Sequence, residues 1–290
     1  MQITIVGRCP GGGMEREMFT TQKTLNNGVK IPMVGLGVFR MSADDTVASV
    51  RSALQSGYRH IDTASIYGNE AETGRGLKES GIARSDVFLT TKLWNDDMRS
   101  GGVREALETS LSLLGTDYVD LYLIHWPVKD KFIESYLVLE ELYKEGKARA
   151  IGVSNFNPHH LDELMERASV VPAVNQVELH PLLAQTGVIS YCERQGIAME
   201  AYAPFGGDHA PALALPEISA IAQRLGRTPA QVALRWNIQR GVIVIPKSVK
   251  PERIRENADL DFVLEDADMA AINALNRDQR FNADPETFDF

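Results

Sequence analysis

The sequence predicts an α/β fold, a (β/α)8 or TIM barrel opened by a short β-hairpin. Three observations predict it. Eight short apolar runs read as strands along the chain. Amphipathic stretches with helical spacing of apolar residues lie between them. The strand cores are apolar on both sides of the alternation, as expected of parallel strands buried on two faces. Eight strands interleaved with helices suit a closed parallel barrel.

The elements follow in order. Lys23-Thr24-Leu25 and Val29-Lys30-Ile31 flank Asn26-Asn27-Gly28, a hairpin signal placed to cap the N-terminal end of the barrel. The strands are expected at Met33-Gly37, Arg59-Thr63, Val87-Thr91, Leu121-His125, Ala150-Val153, Ala173-Val177, Met199-Tyr202 and Val242-Ile245. Helices are expected at Asp45-Gln55, Val103-Leu114, Ile133-Lys144, His160-Ala168 and Pro229-Gln239. Residues 1–18 contain Gly11-Gly12-Gly13 and read as an extension. Residues 19–290 read as one domain, since no repeat, low-complexity tract or Pro/Gly-rich linker interrupts them.

Composition narrows the function classes. The 290 residues carry a net charge of -9, which disfavours general binding to nucleic acid or an anionic membrane. Apolar residues make up 44%, yet no apolar run approaches the roughly 18 residues of a transmembrane helix. Only Cys9 and Cys192 are present, so no disulfide framework is indicated and a reducing cytoplasm is expected.

Four polar side chains fall at or just past strand ends: Asp62, Tyr67, Lys92 and His125. Side chains at the C-terminal strand ends of such a barrel face the active site. A phenol is a poor acid near neutrality. An adjacent ammonium, Lys92, favours the phenolate and should lower the Tyr67 pKa. Asp62 would hold Lys92 charged and in place. His125 could donate a hydrogen bond to a bound carbonyl oxygen. Together the four suit charge developing on an alkoxide. A hydride source is still required, which side chains do not supply. Any one of these residues alone would more often be structural; the combination at three strand ends favours catalysis.

At these residues the chain resembles the aldo-keto reductase family. Gly57-Tyr58-Arg59-His60-Ile61-Asp62-Thr63-Ala64, with Tyr67 and Asn69-Glu70, matches a first signature. Leu114-Gly115 and Asp120 through Pro127 match a second. Ile245-Pro246-Lys247-Ser248 with Arg253-Ile254 and Asn257 match a third. The resemblance spans about residues 20 to 290. It implies a (β/α)8 barrel and places the family's tetrad on Asp62, Tyr67, Lys92 and His125. Val128-Lys129-Asp130-Lys131-Phe132 and Ala283-Asp284-Pro285-Glu286 are similar to the small-reductase branch that includes 2,5-diketo-D-gluconate reductases and protozoan prostaglandin F synthases.

The resemblance further implies NADPH/NADP+ as cofactor and reduction of aldehydes or ketones, with Tyr67 as general acid. It implies a small-molecule carbonyl substrate; a monomer is expected, and the acidic net charge speaks against a nucleic-acid or membrane partner. Ser154, Asn155 and Gln176 would meet the nicotinamide carboxamide, and Tyr202 would stack on the ring. Lys247, Ser248 and Arg253 would clasp the 2′-phosphate, with Glu256 and Asn257 at the adenine. Basic side chains at a helix start run against the helix dipole, and a phosphate there would resolve the mismatch. No Gly-x-Gly-x-x-Gly is present: Gly35-Leu36-Gly37-Val38-Phe39-Arg40 has arginine in the third position. Phe156 likewise rules out a nucleophile elbow at Ser154.

Phe39, Trp94 and Trp126 are expected to line the substrate pocket, whereas Trp236 reads as helix core. The family more often has tryptophan at Phe39 and serine at Ala203, which bears on substrate preference. The tail from Arg280 to Phe290, with Phe281, Phe288 and Phe290, is expected to fold over the mouth. His159 and His160 read as a solvated helix start. His60 and His180 lack acidic partners at metal-ligand spacing, so no metal is expected. The competing reading, a cofactor-binding regulatory subunit, imposes no need for Tyr67 and Lys92 together.

Overall fold

The computed structural model describes residues 21–288. The expected extension at residues 1–18, Cys9 and Phe290 lie outside the described residues. Strands β1 (Gln22–Thr24) and β2 (Lys30–Pro32) pair antiparallel, with Thr24 opposite Lys30. The expected Leu25 and Val29 belong to the connection, closed by the Leu25 N–H donating to the Val29 carbonyl at 2.8 Å. Gly28 sits there at φ 86°, a left-handed conformation that glycine adopts without steric cost.

Eight parallel strands follow: β3 (Leu36–Gly37), β4 (His60–Asp62), β5 (Phe88–Leu93), β6 (Leu121–Ile124), β7 (Ile151–Ser154), β8 (Val174–Glu178), β9 (Ala198–Tyr202) and β10 (Ile243–Val244). Each pairs with its sequence neighbour, from β3 through β10. The first strand is shorter than expected because Met33 to Gly35 pair with the last strand instead. A parallel bridge joins Val34 to Val244, and the Gly35 N–H donates to the Val244 carbonyl at 2.8 Å. That contact closes the ring. Every residue of β4 through β8 is buried, as the unbroken apolar runs require.

The helices cover the outside. They are α1 (Ala43–Gln55), α2 (Glu70–Ser80), α3 (Asn95–Ser100), α4 (Val103–Leu114), α5 (Phe132–Lys144), α6 (Pro158–Met165), α7 (Thr186–Gln195), α8 (Pro216–Leu225), α9 (Pro229–Gln239), α10 (Pro251–Ala258) and α11 (Asp266–Asn273). Their starts are chemically marked. The Ser42 side chain accepts the Asp45 N–H ahead of α1, and Thr228 and Gln231 form a capping box ahead of α9. Helix α6 begins two residues earlier than expected. Pro158 opens it, and His160 Nδ1 accepts the Asn157 backbone N–H. Trp236 is fully buried in α9 and donates to Asn273 Oδ1 at 2.9 Å, a core role as expected. Among the described residues no helix is long and apolar enough to cross a membrane.

The hairpin plugs the N-terminal end. Asn26 Nδ2 donates to the Pro172 carbonyl ahead of β8, Asn27 Nδ2 to the Arg149 carbonyl ahead of β7, and Lys23 Nζ to the Gly241 carbonyl ahead of β10. The opposite end is left to the strand-end polar residues and the tail. The tail is tied down by Glu178 at the end of β8, which accepts the Phe281 and Asn282 N–H groups at 2.8 and 3.1 Å. Phe288 then stacks on Trp126, with centroids 4.0 Å apart.

Candidate active site

The barrel brings the four strand-end residues into one cluster. Asp62 ends β4, Lys92 lies near the end of β5, and His125 follows β6 directly. Tyr67 closes a 3-10 turn after β4, ended by Gly68 at φ 67°. Lys92 Nζ donates to Asp62 Oδ1 at 2.6 Å, to the Thr63 carbonyl at 2.9 Å and to Tyr67 Oη at 3.4 Å. Lys92 and Asp62 are both buried, so removing either would leave an uncompensated charge in the barrel.

The electrostatics differ from expectation at one point. Burial raises the Tyr67 phenol above its ordinary value, and Lys92 opposes that shift without overcoming it; the Asp62 carboxylate adds to it. Depth of burial therefore outweighs the neighbouring ammonium. Tyr67 is held as the phenol, the form a proton donor must have. Burial works against the Lys92 ammonium, but Asp62 and Tyr67 outweigh it and hold the pKa above normal. Burial, then Lys92, push His125 well below its usual range, so its ring is neutral. The ring packs edge-on against Tyr67 and Trp94, at 5.8 and 5.2 Å between centroids.

Ser154, Asn155, Gln176 and Tyr202 form a second polar group on β7, β8 and β9. Ser154 Oγ donates to the Gln176 carbonyl, and Asn155 Nδ2 donates to the His125 carbonyl at 3.0 Å. Tyr202 Oη donates to Asn155 Oδ1 at 2.8 Å. Asn155 lies at φ 64°, a conformation asparagine tolerates better than most side chains. Gln176 Nε2 donates to Asp62 Oδ2 at 2.8 Å, which joins this group to the first.

Lys247, Ser248, Arg253, Glu256 and Asn257 run from the end of β10 into α10. Lys247 Nζ reaches the Arg40 carbonyl at 3.5 Å, and Ser248 Oγ accepts the Lys250 N–H. Asn257 is buried, whereas Arg253 is exposed on the first turn. Among the described residues Arg253 has no hydrogen-bonded or ionic partner. The Gln176 side-chain hydrogen bonds run through Nε2, and His125 Nδ1 is buried without a partner. The exposed Arg253 guanidinium fits a ligand that carries a phosphate.

Aromatic rings surround the cluster. Phe39 tilts against Tyr67 at 4.9 Å and remains 45% exposed, so it borders the open mouth. Trp94 meets Phe288 edge-on at 6.5 Å. Phe39, Trp94 and Trp126 thus lie beside the polar centre together with Phe288.

Other residues of the site were not singled out from sequence. Glu200 of β9 is fully buried and accepts a Gln176 N–H at 2.7 Å; a carboxylate inside an apolar strand was the available signal. His60 and His180 do have acidic partners, contrary to expectation: His60 Nε2 lies 3.6 Å from Glu200 and His180 Nε2 lies 3.0 Å from Glu178. Strand register creates the first pair and was not visible in the spacing. Among the described residues one group, His159, His160 and Glu286, brings potential metal ligands within 4.8 Å. His160 Nδ1 accepts the Asn157 N–H, and Glu286 Oε1 accepts from Asn157 Nδ2.

Comparison with known proteins gives concordant matches. A model of the aldo/keto reductase family matches residues 33–277. A 9,11-endoperoxide prostaglandin H2 reductase of Trypanosoma cruzi is 48% identical over 268 residues, covering 91% of this chain and 95% of the relative. A glyoxal reductase of Bacillus subtilis is 49% identical over 264 residues, covering 90% and 95%. Among solved structures, a Bombyx mori aldo-keto reductase in complex with NADP superposes with a TM-score of 0.86 at 36% identity, covering 92% of this chain and 97% of that one.

Proposed function

The chain belongs to the aldo/keto reductase family, and from that premise we propose that it reduces aldehydes and ketones to alcohols with NADPH. The observation that carries the reading is the Lys92 ammonium, which touches both the Asp62 carboxylate and the Tyr67 hydroxyl. When bound, NADPH supplies the hydride. Ser154, Asn155 and Gln176 hold its carboxamide, and Tyr202 supports the ring. Lys247, Ser248 and Arg253 take the 2′-phosphate, with Glu256 and Asn257 at the adenine. The exposed, unpaired Arg253 guanidinium suits a phosphate through its planar fork of donors.

The protein groups then act on the substrate carbonyl. The neutral His125 ring donates a hydrogen bond to its oxygen and orients it. Tyr67 Oη gives its proton to that oxygen as the alcohol forms. Lys92 stabilises the phenolate left behind, and Asp62 fixes Lys92. Phe39, Trp94, Trp126 and Phe288 enclose the substrate's apolar part and keep water away. Residues 19–290 form the catalytic unit, and residues 1–18 are an extension to it.

The test is direct. Purified protein mixed with NADPH and an aromatic aldehyde should lose the absorbance of reduced nicotinamide and yield the alcohol in equal amount. A chain that binds NADPH but turns over no member of a carbonyl panel contradicts the proposal.

A further inference from the structure

Glu200 takes no part in the chemistry above, yet it is a carboxyl group fully buried in the barrel. It is the register partner of Gln176 on the neighbouring strand, so the two side chains share one face. Gln176 Nε2 donates to Asp62 Oδ2 at 2.8 Å and to Glu200 Oε2 at 2.7 Å. An amide nitrogen carries two hydrogens, and these two acceptors use both. The polarity of the amide is fixed by charge. Asp62, paired with Lys92, can only accept, so the nitrogen must face it. Oε1 is then the free limb of the amide. The terminal torsion of a glutamine is broad and roughly two-fold, so a single anchor would leave the plane loosely set. Two anchors on one nitrogen set it.

We propose that Glu200 is a positioning residue for the cofactor: with Asp62 it locks the Gln176 amide so that Oε1 accepts an N–H of the nicotinamide carboxamide. This rests on the NADP(H) reading of the site.

The groups around Glu200 are consistent with that task. His60 and Asp62 face it from β4, Lys92 from β5 and Gln176 from β8. Burial and then Asp62 push the Glu200 carboxyl up to about 8, while Gln176 and Lys92 oppose. Near neutrality it is the uncharged acid. One oxygen accepts from Gln176, and the other lies toward His60, whose ring burial pushes down to about 3 and keeps neutral. The anchor thus adds no second negative charge beside Asp62. A glutamine at this position reproduces the same shape and acceptor.

The experiment measures binding of three ligands to wild type, Glu200→Gln and Glu200→Leu. The ligands are NADP+, its 3-acetylpyridine analogue, which has a methyl ketone in place of the carboxamide, and 2′-phospho-ADP-ribose, which lacks the nicotinamide. Wild type and Glu200→Gln should bind NADP+ about two- to tenfold more tightly than the analogue, the worth of one hydrogen bond. Glu200→Leu should lose most of that preference and still bind 2′-phospho-ADP-ribose like wild type. If Glu200→Leu fails to fold, Glu200→Val carries the same expectation. A preserved preference in the apolar variant overturns the proposal, as does equal weakening of all three ligands, which marks a structural role. A wild type that binds none of the three refutes the NADP(H) reading itself, and the proposal falls with it.

Discussion

Asp62 and Gln176 stand on strands that face each other across the barrel, and the Gln176 amide donates to the Asp62 carboxylate at 2.8 Å. The same carboxylate holds Lys92 through its other oxygen at 2.6 Å. One side chain therefore ties the proton-donating centre to the group proposed to hold the nicotinamide. A change at Asp62 should be felt on both sides.

Asp62→Asn tests that coupling. Its amide cannot satisfy a buried ammonium by charge, and its own N–H groups oppose those of Gln176. Turnover should fall by at least about tenfold, and NADP+ affinity by about two- to tenfold, the scale of one lost hydrogen bond. Single-turnover rates and equilibrium titration separate the two effects. Lowered turnover with unchanged NADP+ affinity would mean that the bond across the barrel does not serve the cofactor.

Glu200 gives a pH dependence with a definite sign. Its carboxyl is raised from 4.5 to about 8 in the folded chain. Between those values the folded state binds the proton and the unfolded state does not. Stability contributed by this group is full below about pH 4.5 and declines as pH rises toward about 8. Urea unfolding of wild type and Glu200→Gln across that window should show a steeper loss in wild type. Parallel curves would place the titration elsewhere.

Much of the architecture was legible in the sequence because barrel strands are short, apolar and bounded by polar residues. The expected strand at Val87-Thr91 is β5, which starts one residue later and ends two residues later, and the helices at Val103-Leu114 and Pro229-Gln239 stand as expected. Asp62, Lys92 and His125 were visible because a polar residue ending an apolar run has few structural reasons to be there. Depth was not visible. The charge of Lys92 beside Tyr67 could be anticipated, but burial strong enough to outweigh it could not. Register was not visible either. Glu200 gains meaning only once β8 and β9 set it beside Gln176, and Glu178 only once the tail returns to it.

Arg253 is expected to decide cofactor choice, since NADH lacks the 2′-phosphate. A hydrogen bond to a charged group contributes about 1.5–3 kcal/mol. Arg253→Ala should therefore weaken NADPH by about ten- to hundredfold and leave NADH nearly unchanged. The difference should shrink with added salt, because the pair is exposed and screened. Fluorescence titration with both cofactors reads this directly. Equal weakening of both would assign Arg253 to the protein's own structure.

The proton donated from Tyr67 Oη is the centre of the account, and Tyr67→Phe measures it with the loss of one oxygen atom. General acid catalysis contributes about 10²–10⁴-fold. The folded variant should bind NADPH as wild type does while its kcat for an aromatic aldehyde falls within that range. A variant that keeps both NADPH affinity and wild-type kcat would contradict the assignment of Tyr67 as proton donor.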